Sequence, residues 1–359
     1  MAPGEAAPRQ QMSDYEMRAW TSALARVQEA PKVSRIAGVV EGSVPERVKV
    51  AASSATTKAV DWSNEKLSDF QVRDIVERSL AGTLDLTFRP ALRSASTDAV
   101  ITEIQKTFPE VRTGSDFCSL DLEELDRVRQ RKGSYTAASA VQGAGTSLAV
   151  TGAVVSTTVS GGVTAGAAIA AVAVDAAAAL AMMGRSVGSV AARYGYDVRL
   201  PEEETFAMSV LSYGTAGGSI SAKGAALRSL SRLTQEMARR PTWPQLNNHV
   251  LVRVIEKMYA SLGFRLTQGK LGQLIPVVGV AINATMSANT TRTTYERAED
   301  AYRLRFLSDK YGIDPGDWVA ELPPVEHDSD NDDVIDVVEL IDEINADESD
   351  DGTQNGGRE

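Results

Sequence analysis

Cysteine is all but missing from this sequence: Cys118 stands alone in 359 residues. A lone thiol excludes an intramolecular disulfide and a thiolate metal cluster, and it fits a reducing compartment. Histidine is nearly as scarce. His249 and His327 lie far apart, and neither they nor Cys118 sit in a local signature of nucleophilic catalysis. HExxH and the P-loop are absent. The glycine-rich GAGTSLAVTG at 143–152 follows no strand, so it fails the test for a nucleotide fingerprint. Nothing calls for a cofactor or a metal. Aromatic residues make up only 6%, so a core drawn from the 43% apolar residues must lean on Ala, Val and Leu. Also lacking is the basic footprint that nucleic acid requires, since the net charge is -11.

That charge is unevenly placed. Residues 321–359 hold 15 of the acids and one base, Arg358, which leaves 33 acids and 36 bases in 1–320. The body is close to neutral and the acidity belongs to a tail. Three regions follow: a disordered leader at 1–11 without the layout of a signal peptide, a helical domain at 12–320, and an acidic, mostly disordered tail at 321–359.

Strict alternation, the strand signal, appears nowhere, so the fold class is all-α: a multi-helix bundle with Gly/Ala-rich, closely packed central helices. SDYE at 13–16 is a capping box, with Ser13 capping and Glu16 reaching back to the open amide. Tyr15, Trp20, Leu24 and Val27 give that helix a buried stripe. SVPE at 43–46 is a second capping box. Helices are expected over 44–60, 67–82, 96–108 and within SLDLEELDRVRQRKG at 119–133. Near the end of the body, YERAEDAYRLRFL reads as an amphipathic helix with Tyr295, Ala298, Tyr302 and Phe306 inward.

From Gly133 to Val174 there is no charged residue, long enough to raise the question of a membrane span. Composition answers against it. In 153–171 the strong apolar residues are Val154, Val155, Val159, Val163 and Ile169. They offer about -2 kcal/mol on an insertion scale, which the Ser, Thr and Gly of that window consume. A window moved downstream takes in Asp175, at about +2.5 to +3.5 kcal/mol. The GxxxG steps Gly162/Gly166 and Gly184/Gly188 instead suit close helix packing, in lipid or in water. Asp175 needs a partner in such surroundings, and Arg185, Arg193, Lys223 and Lys270 are the candidates. Its plainer role is a structural ion pair or cap; its sharper role is a cleft residue.

Three blocks carry a resemblance: YEMRAW; LDLEELDRV with GAGTSLAVTGAVVS and AVDAAAALAMMGRSVGSVAARYGYDVRLPEEETFAMSVL; and LGQLIPVVGVAINATMSANTTRTTYERAEDAYRLRFL. In this order, over most of 12–312, they resemble the EcsC protein family. The positions that match its pattern are Asp175, Tyr194, Gly195, Asp197, Lys270, Pro276, Gly279, Asn283, Ala301 and Arg305. The resemblance implies a helical protein associated with the membrane periphery, with no reaction attached. With Arg185 added, Asp175, Tyr194, Asp197, Lys270, Asn283 and Arg305 form the candidate polar cluster.

The tail adds two features. DSDNDDVIDVVE at 328–339 has the acids of an EF-hand loop, but Asp333 stands where the turn needs Gly, and proline precedes it. It reads as a chance match. Val334, Val337, Val338, Ile341 and Ile344 share one helical face at 333–345, which can dock in a partner's groove or on the body. The expected function is a non-enzymatic accessory or regulatory protein at or near the bacterial cytoplasmic membrane, cytoplasmic or peripheral to it. The alternatives are a lipid-binding or lipid-transfer module, and a hydrolase centred on Asp175.

Overall fold

The computed structural model describes residues 11–29, 69–128, 165–216, 219–239, 248–271, 279–320, 322 and 335–354, and no strand occurs among them. The elements are α1 (Asp14–Gln28), α2 (Asp69–Leu80), a π-helical turn at Leu84–Phe88 running into α3 (Arg89–Leu92), α4 (Thr97–Ile104), a 3-10 turn at Gly114–Ser119 and a helical stretch at 122–128. The long helices follow: α5 (Ala165–Arg193), α6 (Pro201–Thr215), α7 (Ile220–Arg239), α8 (Asn248–Leu271) and α9 (Gly279–Tyr311). A 3-10 turn at Pro315–Trp318 and α10 (Val337–Gln354) close the chain. The expected helix at 44–60, the Gly162 step, Pro276, His327 and the calcium-like loop up to residue 334 lie outside the described residues.

Both arms of the first capping box are made: Glu16 N–H donates to Ser13 Oγ at 3.2 Å, and Ser13 N–H donates to Glu16 Oε2 at 3.1 Å. The buried stripe of α1 is Glu16, Trp20, Ala23 and Val27; Tyr15 and Leu24 sit at its edges. The expected helix at 67–82 is observed as α2, which ends before Gly82. That glycine takes the left-handed φ of 80°, and the π turn follows.

The centre of the bundle is α6. Every residue from Glu203 to Gly214 is buried, because α5, α7, α8 and α9 surround it. The end of α9 is enclosed almost as fully. Ala298, Tyr302 and Phe306 point inward as expected, but Ala301, Leu304, Arg305, Leu307 and Ser308 are buried too. The amphipathic reading of this segment is therefore corrected: α1, α5 and α6 pack around several sides of it, leaving no wide solvent face.

The small residues of α5 do what close packing requires. A Cβ on Gly188 would lie 2.1 Å from the carbonyl oxygen of Leu92, and one on Gly184 would lie 2.7 Å from the Phe88 ring. The second GxxxG step is thus the seat of the π turn and α3. No described helix is long and apolar enough to cross a membrane.

Candidate functional site: the ionic seam of α9

Between Arg297 and Lys310, α9 sends charged side chains to most of the elements around it. Arg297 donates to the carbonyls of Tyr213 at 2.7 Å and Ala216 at 2.8 Å, closing the C-terminal end of α6. Cations belong there, where helix carbonyls point outward without partners. Glu299 accepts from Arg193 at 2.6 Å and from Tyr194 Oη at 3.2 Å, both at the end of α5. Arg303 donates to Tyr194 Oη at 3.1 Å and stands 3.6 Å from Asp126, which in turn accepts from Tyr15 Oη at 2.8 Å. Asp300 accepts from Nε and Nη2 of Arg26 of α1, one oxygen to each.

Two knots in this seam are deep. Arg305 donates to both oxygens of Glu203, at 2.7 and 2.6 Å. Its guanidinium lies 4.1 Å from the Tyr196 ring centre and 4.3 Å from that of Phe206. Burial works against the charge, but Glu203 and Tyr196 hold the guanidinium protonated, above its ordinary value. Below it, Lys310 donates to Glu16 at 2.7 Å and to the Leu120 carbonyl at 2.8 Å, and Tyr311 Oη also donates to Glu16. Burial alone would raise the Glu16 carboxyl; the bonds from Lys310, Tyr311 and the Ser13 amide outweigh it and hold the carboxyl below its usual value. Glu16 is fully buried, so the capping glutamate of α1 is also the anchor for the last turn of α9.

A second acid of α6 repeats the device toward the other side. Glu204 accepts from Arg89 at 2.9 Å and Arg93 at 2.6 Å, tying α6 to α3 and the residue after it. Buried charges are tolerated only when paired in this way. Beside the Arg305 knot, Tyr302 Oη is buried without a hydrogen-bond partner among the described residues. The thiol of Cys118 is pushed up to about 11, first by burial and then by Asp309.

The candidate polar cluster is distributed by the fold over separate places. Tyr194 and Arg305 lie in the seam, each with its own partners. Asp197 bonds to Arg199 at 2.8 Å, at the turn after α5. Asp175 and Arg185 are half-buried on α5. They stand ten residues apart on one helix, about 15 Å along its axis, beyond the reach of an ion pair. Of the other partners considered for Asp175, Arg193 pairs with Glu299, and Lys223 donates to the Glu29 carbonyl beyond the end of α1. Lys270 and Asn283 fall within α8 and α9, but their side chains lie outside the described residues. Gly195, at φ 88°, touches Gly114 backbone to backbone: a Cβ on Gly114 would lie 1.8 Å from the Gly195 carbonyl oxygen. Sequence reading passed over Glu203, Glu204, Glu299 and Arg303. The signal for the first two was present, as PEEE opens a helix with no polar face to receive its acids.

Among the described residues no group of three or more His, Cys, Asp or Glu is placed to hold a metal ion. The arrangement defines an all-helical bundle whose last long helix hands its charges to its neighbours. The EcsC protein family model matches residues 151–307 of the chain. The match is narrower than the resemblance over 12–312 and leaves α1 and the acidic tail outside it. No curated protein and no solved structure matches the chain.

Proposed function

We propose that this chain is a non-enzymatic accessory or regulatory protein working at the face of the bacterial cytoplasmic membrane. One observation supports the non-enzymatic half. The buried charged residues of the family-matching segment, Glu203, Glu204, Lys223, Asp300 and Arg305, are bound to other parts of the bundle. Groups held in such pairs position helices, and a segment that spends its charges this way reads as a scaffold. Asp175, on which a hydrolase would centre, is half-buried beside the exposed Val174. The membrane half of the proposal rests on the family resemblance.

Fractionation of the untagged protein tests this reading, followed by mass spectrometry of lipids that copurify. Recovery with membranes, release by high salt and no stoichiometric lipid supports it. Recovery in the soluble fraction with a defined lipid overturns it in favour of a lipid-transfer module.

A further inference from the structure

The apolar face expected at 333–345 is observed on α10, which starts at Val337 and runs on to Gln354. It is spent on the chain's own body. Val337, Val338, Ile341 and Ile344 are buried, and α10 packs on α7 and α8. Ser229 Oγ donates to the Ile335 carbonyl at 3.1 Å, which sets where the segment enters. Asp336 then pairs with Arg232 of α7 at 2.6 Å, and Glu343 pairs with Lys257 of α8 at 3.5 Å. The helix therefore lies across a seam with a cation on each bank, and it meets them with carboxylates seven residues, or about two turns, apart.

We propose that the α7–α8 seam is a docking site for an acidic amphipathic helix supplied by another protein, and that α10 is its resident occupant and internal competitor. The proposal stands apart from the membrane reading above. Charge complementarity names the occupant. An apolar trough with Arg232 on one side and Lys257 on the other accepts a helix whose apolar stripe is flanked by acids, and it repels the basic amphipathic helices that seek membranes. The Lys257–Glu343 pair is solvent-exposed and the Arg232–Asp336 pair partly so, and they steer and align while the apolar stripe supplies the adhesion.

The occupant is built to leave. Residues 335–354 contain eight acids and no base. Asp347, Glu348, Asp350 and Asp351 fall in the second half of α10, where the helix dipole disfavours negative charge. Such a helix owes its order to the seam beneath it. The twelve residues 323–334 join it to the body. They reach about 40 Å when extended, enough for α10 to vacate the seam without leaving the molecule. A tethered occupant competes at high effective concentration and so sets a threshold for the external helix.

The test uses the full chain carrying Ile341→Asp and Ile344→Asp, with a fluorescent peptide of residues 335–354 as the probe. The released chain is expected to bind the peptide saturably. The wild-type chain should bind it about tenfold or more weakly, because its seam is open only part of the time. In the released chain Arg232→Glu should weaken binding, and Asp336→Arg in the peptide should restore it. Failure of the released chain to bind the peptide overturns the proposal, as does binding to anionic vesicles in place of the peptide. Hydrogen exchange of the wild-type chain guards against a variant that does not fold. Amides of α10 exchanging far faster than those of α6 support a displaceable occupant; equal protection shows α10 to be integral core and overturns it.

Discussion

Arg305 and Glu203 meet through two parallel hydrogen bonds, 2.7 and 2.6 Å long, in the interior between α9 and α6. Neither side chain carries its charge to water, and the Tyr196 and Phe206 rings lie against the guanidinium. The bond joins residues 102 positions apart, so it is a tertiary clamp.

Breaking that clamp from one side strands a charge. Arg305→Ala should lower unfolding free energy by about 3–5 kcal/mol, the usual cost of orphaning one member of a buried pair. Arg305→Met together with Glu203→Leu should recover most of the loss, because both desolvation costs vanish with the charges. Denaturant titration of the single and double variants checks this. Additive losses would show that the two residues act independently.

Two buried acids should give stability opposite slopes with pH. The folded Glu16 carboxyl lies below its unfolded value, so its contribution is present above the ordinary carboxylate range and is lost as pH falls through the folded value. Asp300 is the reverse. Burial outweighs the Arg26 guanidinium and lifts it from 3.8 to about 6. The fold therefore favours its protonated form, and stability is lost as pH rises from about 4 through about 6. Melting temperature against pH should show a maximum between these limbs. Asp300→Asn should flatten the upper limb, and Glu16→Gln the lower one.

Gly188 and Gly224 separate packing from helix propensity. Gly188→Ala drives a methyl into the Leu92 carbonyl, so it should destabilise despite the better helix former. At Gly224 the nearest atom to a new Cβ is the flexible Arg228 end at 3.4 Å. Gly224→Ala should be neutral or stabilise by up to about 1 kcal/mol. Thermal unfolding of the two variants decides whether the glycines of α5 are there for contact.

What was legible in the sequence was local. The capping box of Ser13 and Glu16 needs four consecutive residues, and both of its arms formed. The helical periodicity of 67–82 and the inward Ala298, Tyr302 and Phe306 needed one helix each. What stayed hidden needed two helices at once. Glu16 is a cap by its neighbours and an anchor only because Lys310 and Tyr311 arrive from the other end of the chain. Asp175 drew notice as a charge in an alanine run, while Glu203 and Glu204 passed as ordinary acids at a helix start. Their burial comes from α3 and α9 closing over them, which no window of α6 contains. The apolar face on the tail was readable; its docking on α7 and α8 depended on the positions of Arg232 and Lys257.

The anchor between Glu16 and Lys310 also sets a timetable. Its two halves are separated by 294 residues, so they leave the ribosome about 15–60 s apart at ordinary rates of elongation. Throughout that interval the first helix has been made and its carboxylate has no ammonium to meet. α1 is thus synthesised long before it is secured, and a chaperone that shields Trp20 and Val27 during translation would serve this chain at its most vulnerable stage.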